Sequence, residues 1–201
     1  MKLIGMLDSP YVRRVAISAK RLGITLDHDP VSVFRHFERF QQINPVVKAP
    51  TLVLDDGEVL IDSTLILDYL EALSGKTLLP SDLSQRSKAL RLIGLGLAAC
   101  EKAVQLYYER NLRPAEIQYQ PWVERVESQL AAAFTALEHE LSQQPLPTDG
   151  SLAQDGITLA VAWSFTGLVV PDQISAERFP RIAQYTAYAE SLEAFTSTPM
   201  N

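Results

Sequence analysis

Short apolar segments of two kinds alternate in the first part of the chain. Lys2–Leu7 and Asp27–Val33 have the composition of strands, and between them Pro10–Leu22 places its apolar side chains along one helical stripe. Gly23 follows that stripe, where the C-terminus of a helix favours glycine. A strand, a helix and a second strand in this order predict a parallel pair of strands, and a shorter helix is predicted over Phe37–Ile43.

An acidic turn separates the next two apolar runs. Asp55-Asp56-Gly57 lies between the runs 51–54 and 59–61, and this arrangement predicts a β-hairpin. Apolar residues at helical spacing follow from Leu65 to Leu73, with Ser63 at the position of an N-cap. Residues 1–76 are therefore predicted to form an α/β domain, a mixed four-stranded sheet with helices on its faces.

Only helical patterns recur after a polar linker at residues 74–82. They cover 83–108, 122–141, 157–168 and 182–195, and prolines or Asp149-Gly150 lie in the breaks between them. Residues 84–201 are therefore predicted to form a second domain that is all-α.

Composition and charge remove several classes of protein. A net charge of −6 argues against a general nucleic-acid binder, which would carry a basic face or tail. The single cysteine, Cys100, excludes an internal disulfide framework and a cysteine-only metal cluster, and it is expected to pack as a small apolar side chain. No apolar run reaches the length of a membrane span, so a cytoplasmic protein without metal, membrane or nucleic acid is expected.

The junction between the first strand and the first helix carries Asp8-Ser9-Pro10, followed by Arg13 and Arg14. Ser9 has two interpretations: it caps the helix, or its hydroxyl faces a ligand together with the positive end of the helix. The second arrangement would stabilise a thiolate. Lowering the pKa of a thiol from about 8.5 to about 6.5 requires about 2.7 kcal/mol, and one charge-assisted hydrogen bond supplies roughly 1.5–3 kcal/mol. A single hydroxyl is therefore sufficient in magnitude.

The segment from Asn44 to Ser63 is also typical of a binding site. Free backbone N–H groups at the start of the Ser63 helix favour a bound carboxylate, and Asp62 directly precedes them. The order of proline, strand, hairpin, strand, acidic residue, serine and helix indicates a pocket for a small zwitterionic ligand.

Three motifs together resemble the cytosolic glutathione transferase superfamily. They are Ser9-Pro10-Tyr11-Val12-Arg13-Arg14, Asn44-Pro45 leading to Ala49-Pro50-Thr51-Leu52, and Asp62-Ser63 ahead of Leu65-Ile66-Leu67-Asp68-Tyr69-Leu70. The resemblance spans the whole chain and implies a thioredoxin-like N-terminal domain followed by an all-helical C-terminal domain. Among members of the superfamily, the chain is most similar to the bacterial serine-type proteins.

The resemblance implies roles for the first two motifs. Ser9 would donate a hydrogen bond to the glutathione sulfur and stabilise its thiolate. The backbone of Ala49 would pair with the cysteinyl part of glutathione, just before a cis proline at Pro50.

The resemblance also implies partners for the charged ends of glutathione. The Asp62 side chain would lie near the γ-glutamyl ammonium, while the hydroxyl and backbone N–H of Ser63 would hold the γ-glutamyl carboxylate. Lys48 and His36 would be the nearest cations for the glycyl carboxylate, with an ordinary solvated side chain as the alternative for each.

A second, electrophilic and mostly apolar substrate is implied as well. Tyr11, Tyr107, Tyr108 and Trp163 are the candidates for its pocket, with packing in the core or at an interface as the alternative for all four. The resemblance implies a homodimer and no metal. Members of the superfamily commonly begin a later core helix with Ser/Thr-x-x-Asp, but Ala153 and Gly156 stand at those positions here, so Asp155 is expected to cap that helix instead.

Glutathione transferase activity of the detoxification type is therefore the predicted function, with two alternatives. One is a non-catalytic interaction module, as in the bacterial stringent-starvation-type proteins, because a fold does not fix a function. The other is a glutathione-dependent isomerase or peroxidase. Thiol–disulfide exchange is excluded, because the Cys-x-x-Cys that it needs at the first strand–helix junction is replaced by Ser9-Pro10-Tyr11-Val12.

Overall fold

The computed structural model describes residues 1–200 and divides into two compact units. The first unit contains Met1–Leu78 together with the C-terminal segment from Leu192, and the second contains Leu79–Ser191. The sequence-based boundary places that C-terminal segment in the second domain, whereas in the structure its contacts are with the first unit.

A four-stranded mixed sheet forms the centre of the first unit, as predicted. Its strands are β1 (Lys2–Ile4), β2 (Asp27–Asp29), β3 (Thr51–Val53) and β4 (Val59–Ile61), in the order β2-β1-β3-β4. The pair β1–β2 is parallel, and the pairs β1–β3 and β3–β4 are antiparallel. The strands β1 and β2 are shorter than predicted; β1 stops before Gly5, whose φ of 135° departs from strand geometry.

Eight α-helices follow one another within the described residues. They are α1 (Pro10–Leu22), α2 (Phe37–Ile43), α3 (Ser63–Ser74), α4 (Leu83–Asn111), α5 (Gln120–Gln143), α6 (Gln154–Val169), α7 (Pro180–Glu190) and α8 (Glu193–Thr196). The predicted bounds of α1 and α2 are confirmed. The single helix predicted over 182–195 is wrong, because the chain leaves the helix at Ser191 and begins the short α8 two residues later.

The two faces of the sheet belong to two different apolar clusters, because alternate strand residues point to opposite faces. On one face Leu3 and Leu52 pack with side chains of α1 and α3, namely Val12, Val15, Ala19, Leu22, Ile66, Leu67 and Leu70. On the other face Ile4 packs with Val31 and with Phe40 of α2. The helices α1 and α3 are thereby held against the sheet on the same side.

The second unit is built from α4 to α7, and α4 packs against both α5 and α6. Phe134, Trp163 and Phe179 form an aromatic cluster within it, and Cys100 is buried in α4. In the described part of the chain, no helix combines the length and the apolar character that a membrane span requires.

The N-terminus of α6 differs from the prediction that Asp155 caps it. Ala153 occupies the N-cap position and provides no side-chain bond, while Asp155 lies inside the helix with its Oδ1 accepting from the N–H of Gly156 at 2.8 Å. The Tyr185 hydroxyl fills the space beside Gly156, since a Cβ there would lie 1.9 Å from it. Packing of Tyr185, rather than a side-chain cap, therefore covers this helix end.

Candidate functional site

Three segments that the sequence singled out meet at one edge of the sheet. The register pairs Ile4 with Thr51 and Thr51 with Ile61. The end of β1, the start of β3 and the end of β4 therefore lie side by side, because the two pairs are antiparallel. This register brings the β1–α1 loop, Ala49-Pro50 and Asp62-Ser63 to a common edge.

Gly5 allows the first two of these segments to approach closely. A Cβ on Gly5 would lie 2.6 Å from Cγ2 of Val12 and 3.1 Å from Cβ of Ala49, and its φ of 135° is open only to glycine at low cost. The loop that leads to Ser9 therefore passes directly over Ala49.

Ser9 occupies the N-cap position of α1, but its side chain does not cap the helix. Its φ of −69° and ψ of 124° are extended, and Pro10 begins the helix, yet no side-chain cap hydrogen bond forms. The Ser9 N–H donates to the carbonyl of Met6 at 3.1 Å. Among the described residues the Oγ of Ser9 has no hydrogen-bond partner, and the residue is partly exposed. The helix therefore leaves this hydroxyl available.

A carboxylate, Asp8, and a guanidinium, Arg35, lie at the β1–α1 loop that carries Ser9, and sequence reasoning assigned a role to neither. Burial raises the pKa of Asp8, while the Ser9 N–H and the charge of Arg35 act in the opposite direction. An Nη of Arg35 lies 4.0 Å from Sδ of Met6. Arg35 therefore reaches the β1–α1 loop from the segment before α2. Periodicity carries no signal for such a contact, because it joins two loops.

The peptide bond between Ala49 and Pro50 is cis, as the family resemblance implies. The loop in front of it is held by Asn44, whose Nδ2 donates to Oγ1 of Thr51 at 2.9 Å and whose Oδ1 accepts from the N–H of Val46 at 3.0 Å. Oγ1 of Thr51 in turn donates to the carbonyl of Lys48 at 2.8 Å. The buried Asn44 thus fixes the backbone that presents Ala49.

Asp62, and not Ser63 as predicted, is the N-cap of α3. Its Oδ1 accepts from the N–H of Thr64 at 2.9 Å, and its φ is 70°. A positive φ is uncommon for a residue other than glycine, and such strain is concentrated at functional sites. The second carboxylate oxygen of Asp62 lies 3.8 Å from Nζ of Lys48. The structure therefore brings two of the predicted charged site residues together.

Ser63 is the first residue of α3 and is 3% exposed. Its Oγ accepts a hydrogen bond of 3.0 Å from Nη1 of Arg14, which also donates to Oγ1 of Thr64 at 3.1 Å. Arg14 is itself buried and belongs to α1. Sequence reasoning used Arg14 only as a nearby positive charge and missed this link.

His36 is placed differently from the other predicted residues. It occupies the N-cap position of α2, is exposed, and its Nδ1 accepts from the N–H of Ser32 at 3.2 Å. Within the described residues it forms no hydrogen bond or ion pair with Lys48 or Asp62. The His36 ring therefore stabilises the turn from Ser32 to His36 that precedes α2.

The four aromatic candidates for a second-substrate pocket lie in three places. Tyr11 lies in α1 of the first unit and is half-buried. Tyr107 and Tyr108 are neighbours near the end of α4, with ring centroids 6.3 Å apart, and burial, followed by the proximity of Tyr107, raises the pKa of Tyr108. Trp163 packs edge-on against Phe134 at 5.6 Å and Phe179 at 6.1 Å, which favours the packing alternative for this residue.

Known proteins are similar to this chain in sequence and in fold. Residues 3–77 match the family model of the glutathione S-transferase N-terminal domain. The chain is 30% identical to glutathione S-transferase theta-2 of Rattus norvegicus over 198 residues, covering 96% of this chain and 80% of that protein. It is also 28% identical to maleylacetoacetate isomerase of Pseudomonas aeruginosa, over 97% of this chain and 93% of the isomerase.

A solved structure agrees over the whole chain. A glutathione transferase family member from Pseudomonas fluorescens Pf-5, crystallised with bound glutathione, superposes with a TM-score of 0.86 at 27% identity. The match covers 100% of this chain and 98% of that one. The chain belongs to the glutathione S-transferase superfamily, and the predicted thioredoxin-like fold is confirmed.

Proposed function

We propose that this protein is a glutathione transferase of the serine type, in which Ser9 stabilises the glutathione thiolate. The observation that carries the proposal is the unused Ser9 hydroxyl at the start of α1, on the same edge of the sheet as Ala49-Pro50 and Asp62-Ser63. A helix cap would require the hydroxyl to bond its own helix, and it does not. Superfamily membership and the glutathione found in the Pseudomonas fluorescens structure support the ligand.

The charged groups of the site suit the zwitterionic end of glutathione. The α3 N-terminus and the Ser63 hydroxyl are suited to the γ-glutamyl carboxylate, because free N–H groups and the helix dipole favour an anion there. The Asp62 carboxylate is suited to the ammonium group beside it. Ala49 would pair its backbone with the cysteinyl residue, and Lys48 and His36 remain the proposed partners of the glycyl carboxylate.

The chemistry then follows from the thiol. The S–H proton leaves to solvent, and the Ser9 O–H donates a hydrogen bond to the resulting sulfur anion. A charge-assisted bond of roughly 1.5–3 kcal/mol lowers the pKa of the thiol by about one to two units. The thiolate attacks an electrophilic carbon of an apolar co-substrate, an S–C bond forms, and the leaving group departs with its electron pair. Tyr11, Tyr107 and Tyr108 are the proposed contacts of that co-substrate.

Calorimetry with glutathione, followed by assays with a panel of aryl halides, epoxides and hydroperoxides, tests this proposal. Binding together with conjugation of at least one electrophile supports it. Binding without turnover of any substrate would favour the non-catalytic interaction module, and an absence of binding would remove glutathione from the function.

Glutathione-dependent isomerisation is the second candidate, because the isomerase of Pseudomonas aeruginosa is similar over nearly its full length. Both reactions would start from the same thiolate and differ in whether glutathione is released unchanged. Maleylacetoacetate therefore belongs in the panel. Its isomerisation at catalytic glutathione concentrations, without conjugation of other electrophiles, would favour the isomerase.

A further inference from the structure

We propose that Arg14 is a positioning residue that turns the Ser63 hydroxyl toward the α-carboxylate of the γ-glutamyl group. The inference rests on the proposed function of the site and extends it to a residue that acts on the ligand through Ser63. Its geometric basis is the pair of hydrogen bonds from Nη1 of Arg14, to Oγ of Ser63 at 3.0 Å and to Oγ1 of Thr64 at 3.1 Å.

The chemistry of the three groups fixes the direction of these bonds. A guanidinium has only donors, so both hydroxyl oxygens must act as acceptors toward Arg14. The proton of the Ser63 hydroxyl is then directed away from Arg14 and is available to an acceptor on the other side. A ligand carboxylate at the start of α3 is such an acceptor, and the hydrogen bond to it is charge-assisted.

The charge of Arg14 acts in the same direction. Arg14 is 3% exposed and Ser63 is 3% exposed, so water screens their interaction weakly. The N-terminus of α3 already carries partial positive charge, to which the guanidinium adds. The site thus combines a directed proton and a positive potential where a carboxylate would bind.

Arg14 also links the two ends of the proposed ligand site, because it belongs to the helix that begins next to Ser9 and bonds to the first residues of α3. Ser9 lies at the N-cap of α1, and Arg14 lies in the same helix five positions later. The neighbouring Arg13 serves another contact, since its Nε donates to the carbonyl of Thr198 at 2.8 Å and its guanidinium lies 5.1 Å from the centre of the Phe195 ring. The two adjacent arginines therefore make different contacts, and Arg14 is the one that bonds to Ser63 and Thr64 at the start of α3.

The experiment compares three ligands by calorimetry on the full-length protein. Glutathione and γ-glutamylcysteine carry the α-carboxylate, whereas 4-aminobutyryl-cysteinyl-glycine lacks it. The variants are Arg14→Met and Arg14→Lys, because lysine keeps the charge and the aliphatic stem and serves if the methionine variant does not fold. Arg21→Met, which removes an exposed arginine of the same helix, is the matched control.

Loss of Arg14 is expected to weaken glutathione and γ-glutamylcysteine by about ten- to a hundredfold. The affinity for the analogue without the α-carboxylate should change less than about twofold, and Arg21→Met should bind all three ligands like the wild type. In a Ser63→Ala background, the further loss caused by Arg14→Lys should shrink to about the same twofold margin, since Arg14 acts through Ser63.

An equal loss for all three ligands would assign Arg14 to folding alone and overturn the inference. Undiminished affinity for glutathione in a folded Arg14→Lys or Arg14→Met variant would overturn it as well. If the wild-type protein bound none of the three ligands, the proposed function itself would fail, and that result is distinct from both.

Discussion

Ser9 and Asp62 stand at the starts of two helices and use their side chains in opposite ways. The Asp62 carboxylate caps α3 through Oδ1 and keeps Oδ2 beside Lys48, whereas the Ser9 hydroxyl contributes nothing to α1. A side chain that does not serve its own helix is a good candidate for a ligand contact. The two residues therefore call for different variants.

Replacement of Ser9 by alanine is expected to leave glutathione bound but mostly protonated near neutral pH. The proposed contacts at Ala49, Asp62 and Ser63 remain, while the pKa of the bound thiol should rise by about one to two units. Ultraviolet titration of the bound thiolate measures this directly, and turnover near pH 6.5 should fall in step. At high pH the thiol ionises without help from Ser9, so the turnover of the variant should approach that of the wild type. An unshifted titration curve would remove Ser9 from the proposed mechanism and make Tyr11 or an arginine of α1 the next candidate.

For Asp62, asparagine separates binding from folding better than alanine does. Asp62→Asn keeps an acceptor for the Thr64 N–H and loses only the charge, so glutathione affinity should fall by about ten- to a hundredfold with little change in stability. Asp62→Ala should lose the same affinity and, in addition, about 0.5–2 kcal/mol of stability, because the cap is lost. Calorimetry and thermal unfolding measure the two effects. Asp68→Ala removes an exposed carboxylate of the same helix and should change neither. Unchanged affinity in Asp62→Asn would contradict the ammonium assignment.

The start of α6 illustrates what an element does when its expected cap is absent. Asp155 belongs to α6 and lies near Tyr185 of α7. Burial raises the pKa of the Asp155 carboxyl group. Burial and the charge of Asp155 both raise the pKa of the Tyr185 hydroxyl as well. The ionised Asp155 carboxylate therefore lowers the stability of the folded protein at neutral pH.

That loss of stability predicts a pH-dependent effect of Asp155→Asn. Since the pKa of Asp155 is higher in the folded than in the unfolded protein, the folded state binds the proton more tightly, and stability is lost as the pH rises above 3.8. Asparagine cannot ionise and still accepts from the Gly156 N–H. The variant should therefore gain in melting temperature relative to the wild type between pH 4 and pH 8, with the largest gain at the high end. A gain that is constant over this range, or a loss at pH 8, would contradict the assigned cause.

Local patterns predicted the elements well and the contacts between them poorly. Pro10, the apolar stripe and Gly23 mark both ends of α1, and Asp55-Asp56-Gly57 marks the hairpin, because these signals lie within a few residues of the structure that they specify. The N-cap of α3 was misplaced by one residue, since the positive φ of Asp62 leaves no local signature. The partners of Arg14 lie 49 and 50 residues away, and no period reveals such a contact.

At the scale of the whole molecule, exposed leucines on two helices support the expectation of a homodimer. Leu65 and Leu73 of α3 are 65% and 53% exposed, and Leu83 and Leu90 of α4 are 79% and 50% exposed. Single exposed apolar residues are ordinary, but repeated ones on the same helix indicate an interaction surface. Family resemblance implies that the N-terminal domain of one subunit pairs with the C-terminal domain of the other, and α3 and α4 belong to those two parts.

Sedimentation equilibrium at micromolar concentration should therefore give twice the 22.3 kDa mass of the chain. Leu65→Glu and Leu83→Glu should each shift the protein toward monomer, because a carboxylate buried at an interface without a partner is strongly unfavourable. Leu168→Glu alters a leucine that is 53% exposed on α6 and serves as the control, which should remain dimeric. A wild-type protein that sediments only as a monomer would contradict the predicted homodimer. Dimers that survive both α3 and α4 substitutions would place the contact on another surface.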